Sequence, residues 1–171
     1  MIGVSPPDSA ETRRAAEQRP VTRAATECDI PAIKTIADRE KHALGFVHRG
    51  SLTRAVARDE LIVASIGTSV VGFCHFYRRR DGTTTIYHVA VVPERRGEGI
   101  GRALLIEVGR SAGERTAGII RLKCPDDLPA NDFYSWMGFC LVATDTGRKR
   151  PLNVWERSVD LFRPTALIPN E

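Results

Sequence analysis

Nowhere in the 171 residues does an apolar run approach the roughly 18–20 residues that a membrane-crossing helix needs. The first twenty residues carry Pro6, Pro7, Arg13, Arg14 and Arg19 with no apolar segment among them. The Arg13-Arg14 pair therefore does not read as an export signal. Cysteine is sparse as well: Cys28, Cys74, Cys124 and Cys140 stand far apart, with no C-x-x-C pair. That spacing argues against a zinc site or a disulfide framework, so the expectation is no metal and mostly buried, reduced thiols in a cytoplasmic protein. Charge of one sign is also lacking, since 25 Lys and Arg face 21 Asp and Glu for a net +4. A nucleic-acid binder carries a denser basic stripe, and Arg148-Lys149-Arg150, with no interleaved aromatics, reads as a solvated loop. Neither nucleic acid nor membrane is an expected partner. What is present, 42% hydrophobic and 27% charged residues, is the composition of an ordinary globular domain able to bury its own core.

Residues 1–19 read as a disordered polar leader, 20–161 as one domain, and 162–171 as a tail punctuated by Pro164 and Pro169. Val21 to Thr26 suggests a strand. A helix follows, with Asp29 as its cap, Pro31 in its first turn, and Ile30, Ile33, Ala37 and Lys41 at helical spacing. Ser51 is the expected cap of a second helix bearing Leu52, Ala55 and Val56. Strands are expected at Leu61–Ser65, Val70–Tyr77 and Thr84–Val92, the last two joined by a two-residue turn at Asp81-Gly82. That turn sets Arg80 opposite Thr83 and His75 opposite His88. Ile100, Leu104, Val108 and Ala112 mark an amphipathic helix reaching about Thr116. Ile119–Cys124 is an apolar strand, and Pro129–Met137 a helix closed by Gly138. Phe139–Ala143 and Val154–Leu161 complete the order β-α-α-β-β-β-α-β-α-β-β: an α/β (α+β) mixed sheet, antiparallel at first, with a parallel crossover from fourth to fifth strand.

The most informative stretch runs from Val89 through Pro93 and Glu94-Arg95-Arg96-Gly97-Glu98-Gly99-Ile100-Gly101-Arg102 into the helix. A strand, a glycine-rich turn and a helix N-terminus together present unpaired N–H groups and a positive dipole end, a cradle for phosphate. Arg95, Arg96 and Arg102 add positive charge around it. A dinucleotide fingerprint requires a third glycine where Arg102 stands, and its acidic residue is missing near Arg115-Thr116-Ala117. A plain packing turn is the bland alternative.

Arg96-Gly97-Glu98-Gly99-Ile100-Gly101, after a strand ending Val-Val-Pro, resembles the R/Q-x-x-G-x-G/A signature of the GNAT superfamily of N-acetyltransferases. The resemblance covers roughly residues 20–160 and implies the GNAT acyl-CoA N-acyltransferase fold with acetyl-CoA as co-substrate. By it, backbone N–H groups of Arg96, Gly97, Gly99, Ile100, Gly101 and Arg102 hold the pyrophosphate. Val91 and Val89 hold the pantetheine and thioester. Asp127 to Phe139 is similar to the family's second motif, N-x-x-A-x-x-F/L-Y-x-x-x-G-F, with Ala130, Phe133, Tyr134, Gly138 and Phe139 in place. Asp127 departs from the usual Asn and has no amide N–H to donate; Asn131 is the candidate substitute. The same comparison marks Tyr134 as the general acid that protonates the departing thiolate.

The acceptor must be a neutral amine to attack. Deprotonating a lysine at pH 7 costs about 4.6 kcal/mol, an α-amine only about 1 kcal/mol. By position His88, on the strand expected to carry the thioester, is the first candidate base, followed by His75 and Glu94. No cysteine lies in a motif for a covalent acyl-enzyme. The expected function is direct acetyl transfer to a primary amine of a small molecule or protein. A non-catalytic acyl-CoA-binding regulatory module is the alternative, and the family resemblance makes a homodimer an expected state.

Overall fold

The computed structural model describes residues 19–113 and 118–162, and in them seven strands form one sheet. These are β1 (Val21–Ala24), β2 (Leu61–Ile66), β3 (Ser69–Arg78), β4 (Thr83–Val91), β5 (Ile119–Pro125), β6 (Cys140–Asp145) and β7 (Leu152–Ser158). They lie in the order β1-β2-β3-β4-β5-β7-β6, with β4 and β5 parallel and every other pair antiparallel. Helices α1 (Ile30–Arg39), α2 (Lys41–Leu44), α3 (Arg49–Ala57), α4 (Ile100–Gly113) and α5 (Ala130–Trp136) complete the described elements. The expected order holds, with the single turn of α2 added. The leader and tail fall, but for residues 19 and 162, outside the described residues, as does the expected end of α4 near Thr116. No described helix is long and apolar enough to cross a membrane.

Local chemistry refines one expected cap and corrects another. Asp29 holds the N-cap position of α1 as expected, but without a side-chain capping bond; it closes a 3-10 turn over Glu27–Asp29 that leads into the helix. Its carboxylate accepts from the Thr26 N–H at 2.7 Å and Thr26 hydroxyl at 2.9 Å, and from Arg23 at 2.7 and 2.8 Å. Those hydrogen bonds, Arg23's above all, hold the carboxyl well below the usual carboxylate range. Ser51 lies inside the first turn of α3, where its hydroxyl donates to the His48 carbonyl at 2.6 Å. Gly138 does follow α5 as expected, with Met137 at the cap.

The sheet buries both faces. Against one face α4 and α5 pack Ile100, Leu104, Leu105, Val108 and Tyr134 onto Cys74, Phe76, Ile86, Ile120 and Leu122. Against the other, α1 and α3 pack Ile33, Ile36 and Leu52 onto Leu61, Val63, Phe73 and Ala90. Ile33, Leu52 and Phe73 are wholly buried, each worth about 1.5–3 kcal/mol of transfer free energy. The four cysteines divide evenly rather than mostly inward: Cys74 and Cys124 are buried, Cys28 and Cys140 exposed.

The hairpin between β3 and β4 differs instructively from the two-residue turn. The Arg79 N–H bonds the Thr83 carbonyl at 2.8 Å, so Arg80, Asp81 and Gly82 form a three-residue loop. Asp81 accepts from the Thr83 N–H at 2.9 Å. Arg78 therefore faces Thr84, one residue out of the expected register, until a bulge between His75 and Phe76 on β3, with Tyr87 the extra residue of β4, restores it. His75 then faces His88 as expected, but through two irregularities that offset each other. The bulge also reverses which face β4's side chains take: Ile86 and Val89 face α4, while His88 and Ala90 face the other side.

At the same place β4 and β5 part. Their parallel pairing runs only from Thr83–Ile119 to Ile86–Leu122. Beyond it β4 stays with β3 and β5 stays with β7, leaving a gap between Tyr87–Val91 and Lys123–Pro125.

Candidate active site

Two cavities open into this gap. The larger, about 530 Å³, runs from the gap along the turn after Pro93 to the outer end of α5. The smaller, about 250 Å³, lies between the parted strands. Ala43, Leu44, Val89, Leu128, Ala130 and Tyr134 line both, so Tyr134 stands where they meet.

The turn is built to expose N–H groups. Gly97 and Gly99 have φ of +83° and +80°, and a Cβ at either would meet nothing within 4 Å. Glycine at both positions thus serves the left-handed backbone. Gly101 is different: a Cβ there would meet the Phe133 ring at 3.2 Å, so glycine lets α5 close on α4. From Gly97 to Arg102 no backbone carbonyl takes up an N–H group among the described residues. These donors, at the N-terminus of a helix of 14 residues, make an anion cradle.

On β4 the Val92 N–H bonds the Val71 carbonyl of β3 at 2.9 Å. Strand alternation then turns the peptide groups of Val91 and Val89 to the open side. The Val91 carbonyl accepts there from Arg96 Nε at 3.2 Å. The Arg96 guanidinium also pairs with Glu40 at 2.6 Å, and Arg39 pairs with Glu94 at 2.6 Å. The two pairs pin the junction of α1 and α2 to the turn. Arg96's side chain is thereby engaged, and its N–H donates to the Pro93 carbonyl at 3.3 Å, so the anion contact expected of that N–H falls to Gly97 and the residues after it.

Tyr134 is 7% exposed, with Phe139 edge-on at 6.0 Å. Burial, reinforced by the neighbouring Cys124 and Cys74 thiols, pushes its phenol far above the ordinary range. The hydroxyl is held protonated, the state in which it can donate. Cys124 lines the smaller cavity, and burial pushes its thiol up to about 11. It is protonated near neutrality and not poised as a nucleophile.

Several expected site residues lie elsewhere. Asn131 is not in the walls: its amide donates to the Pro125 and Leu128 carbonyls at 2.8 Å. Its carbonyl oxygen accepts from Trp155 Nε1 at 2.9 Å and from Asn153 at 3.1 Å. Its hydrogen-bonding capacity is taken up in tying β5, α5 and β7 together, which corrects the expected cofactor contact. His88 also lies outside the walls, on the sheet face opposite Tyr134, with Nδ1 3.2 Å from that of His75. Burial lowers the pKa of both rings, and for His75 the His88 charge adds to it. Glu94, bonded by Arg39, is held below the ordinary carboxylate range and is a poor base. Val89, Val91, Arg96, Gly97, Gly99, Ile100, Gly101, Arg102 and Tyr134 do converge on the larger cavity.

Reading the sequence missed the wall that α2 supplies through His42, Ala43 and Leu44. It also missed Arg150, which leaves the β6–β7 loop to bond Asp127 at 3.0 Å and the His42 carbonyl at 2.9 Å. No local signal marks partners so far apart in the chain. Trp136 could have been found: three residues after Phe133, it shares that face of α5. Among the described residues no group of three or more His, Cys, Asp or Glu is placed to hold a metal ion.

Residues 57–140 match the family model for the acetyltransferase (GNAT) domain. Over that stretch the chain is similar to the GNAT acetyltransferases. Mycothiol acetyltransferase of Kineococcus radiotolerans is 33% identical over 85 residues, which are 50% of this chain and 28% of that protein. The chain thus meets little more than a quarter of that relative's length. Ard1 from Thermoplasma volcanium superposes with a TM-score of 0.74 at 21% identity, over 81% of this chain and 97% of that one. The protein yncA of Salmonella typhimurium, solved with its cofactor acetyl-CoA, gives 0.71 at 19% identity, over 90% and 100%. At such identities these two speak for the fold.

Proposed function

We propose that the chain moves an acetyl group from acetyl-CoA directly to a primary amine. The observation that carries the reading is the run of unpartnered N–H groups from Gly97 to Arg102, set beside the strand edge of Val89 and Val91 and ending at Tyr134. The cradle fits a diphosphate, and the edge fits an amide-bearing arm. Acetyl-CoA, when bound, supplies a thioester, whose acetyl carbon is attacked by the amine as the thiolate leaves. The N–H groups of the β4 edge polarise the carbonyl. Tyr134 donates its proton to the sulfur, which in the same dry surroundings holds a negative charge poorly.

The smaller cavity receives the amine. Lys123 is the one charged side chain in its walls among the described residues, and it pairs with Asp145. No carboxylate or imidazole stands there to take the amine's proton. His88 remains the candidate base, acting through water from behind β4. That arrangement suits an acceptor already partly neutral at pH 7, such as an α-amine, for which loss of the proton costs about 1 kcal/mol against about 4.6 kcal/mol for a lysine. Release of free thiol from acetyl-CoA, measured against α-amino and ε-amino acceptors, tests this. Stimulation by α-amines supports it, and thiol release that no amine accelerates overturns it.

A further inference from the structure

Arg150 lies in the walls of neither cavity, yet its guanidinium joins segments that line them. Nη1 donates to both carboxylate oxygens of Asp127 at 3.0 Å, and Nη2 to the His42 carbonyl at 2.9 Å. Each of the three residues is followed within two positions by a leucine of the smaller cavity: His42 by Leu44, Asp127 by Leu128, and Arg150 itself by Leu152. Two of these segments are also tied directly, the Asp126 N–H bonding the Pro151 carbonyl at 3.2 Å. The third is held differently. Helix α2 is a single turn that fully buries none of its four side chains, and the bond that draws it toward the other two segments comes from Arg150. Asp127 also stands where the motif has Asn. An amide there would offer the guanidinium one neutral acceptor in place of two charged oxygens. Lys123, the one charge in the smaller cavity's walls among the described residues, is taken by Asp145.

We propose that Arg150 is a positioning residue that sets acceptor specificity: by holding Leu44, Leu128 and Leu152 around the smaller cavity, it selects amines whose neighbouring carbon bears an apolar side chain. This rests on the reading that the smaller cavity receives the amine, and adds the acceptor's chemical class to it. A side chain of leucine's size entering these walls leaves water for apolar surroundings. A hydroxyl entering them gives up its hydrogen bonds to water against leucine methyls. An exposed ion pair contributes little to stability, so losing the Arg150 fork releases α2 and Leu44 rather than unfolding the sheet. A lysine in its place keeps the charge but cannot serve the carboxylate and the carbonyl through one planar group.

Thiol release from acetyl-CoA by the wild type, Arg150→Gln, Arg150→Lys and Asp127→Asn, with leucinamide and serinamide as acceptors, tests this role. Both amides present an α-amine beside a carboxamide, so the difference between them reports the side chain. The wild type is expected to favour leucinamide in kcat/KM by about tenfold or more. Arg150→Gln is expected to raise KM for leucinamide about five- to tenfold and to cut the preference to about twofold, while KM for acetyl-CoA moves less than about twofold. Arg150→Lys falls in between. Asp127→Asn, a nearly isosteric change on an exposed side chain, shifts the preference in the same direction by about threefold, and it decides alone if Arg150→Gln does not fold. A preference that survives Arg150→Gln, a wild type that favours serinamide or neither amide, or a KM for acetyl-CoA that rises as much as that for leucinamide overturns the role of Arg150 and leaves the acetyl-transfer reading standing. Thiol release by the wild type that no amine accelerates overturns both.

Discussion

Tyr134 combines two properties that a surface phenol does not: burial keeps it protonated, and its position places it where both cavities meet. Replacing it with Phe preserves the ring that packs against Phe139 and removes only the hydroxyl. Tyr134→Phe is therefore expected to lower kcat by about 10²–10⁴, while the Kd for coenzyme A moves less than about threefold. Full activity in this variant ends its role as the acid. Asn131 shows the opposite case. It is three residues away on the same short helix and equally well placed by spacing, yet its amide is bonded on every side to β5, β7 and the start of α5. Both were legible in sequence as polar groups near a motif. What divides them is the set of partners, Asn153 and Trp155 among them, that only the closed sheet brings near.

At the scale of elements the cleft comes from two local departures from regularity. One is the turn after Pro93, whose form depends on positive φ at Gly97 and Gly99. A Cβ at Gly99 costs about 1–2 kcal/mol in that conformation, and the strand-to-helix turn relieves it by swinging its N–H groups out of line. Gly99→Ala is thus expected to weaken coenzyme A about 5- to 30-fold, read by calorimetry, with Tm lowered only a few degrees. An unchanged Kd detaches the cradle from that geometry. The other departure is the parting of β4 from β5 just past Ile86, beside the bulge at Tyr87. Periodicity made the turn, α4 and the apolar strands legible, because each rests on residues adjacent in the chain. The bulge was hidden. Asp81-Gly82 signals a tight turn without saying whether two or three residues form it, and the extra residue in β4 carries no local mark. The face on which His88 lies therefore could not be read from alternation alone.

Across the whole molecule the sheet separates its chemistry by face, with Tyr134 in the core under α4 and α5 and the His75–His88 pair on the side of α1 and α3. Two imidazoles with Nδ1 atoms 3.2 Å apart can share one hydrogen bond when both are neutral, one donating and one accepting. Protonating both puts two donors face to face. His75 is accordingly pushed down to about 4, chiefly by burial and then by the His88 charge, whereas in the unfolded chain it titrates near 6.5. Between those values the unfolded state binds a proton that the folded state refuses, so stability is whole above about pH 6.5 and falls as the pH drops toward about 4. His75→Gln keeps a polar side chain there and removes that titration. Urea unfolding of both proteins at pH 7.5, 5.5 and 4.5 is expected to show the wild type losing about 2–3 kcal/mol more than the variant over this range. Carboxylates that protonate in the same range are common to both proteins and cancel in the difference. Parallel curves show instead that His75 takes up its proton as readily in the fold as in the unfolded chain, so that neither burial nor His88 penalises its charge.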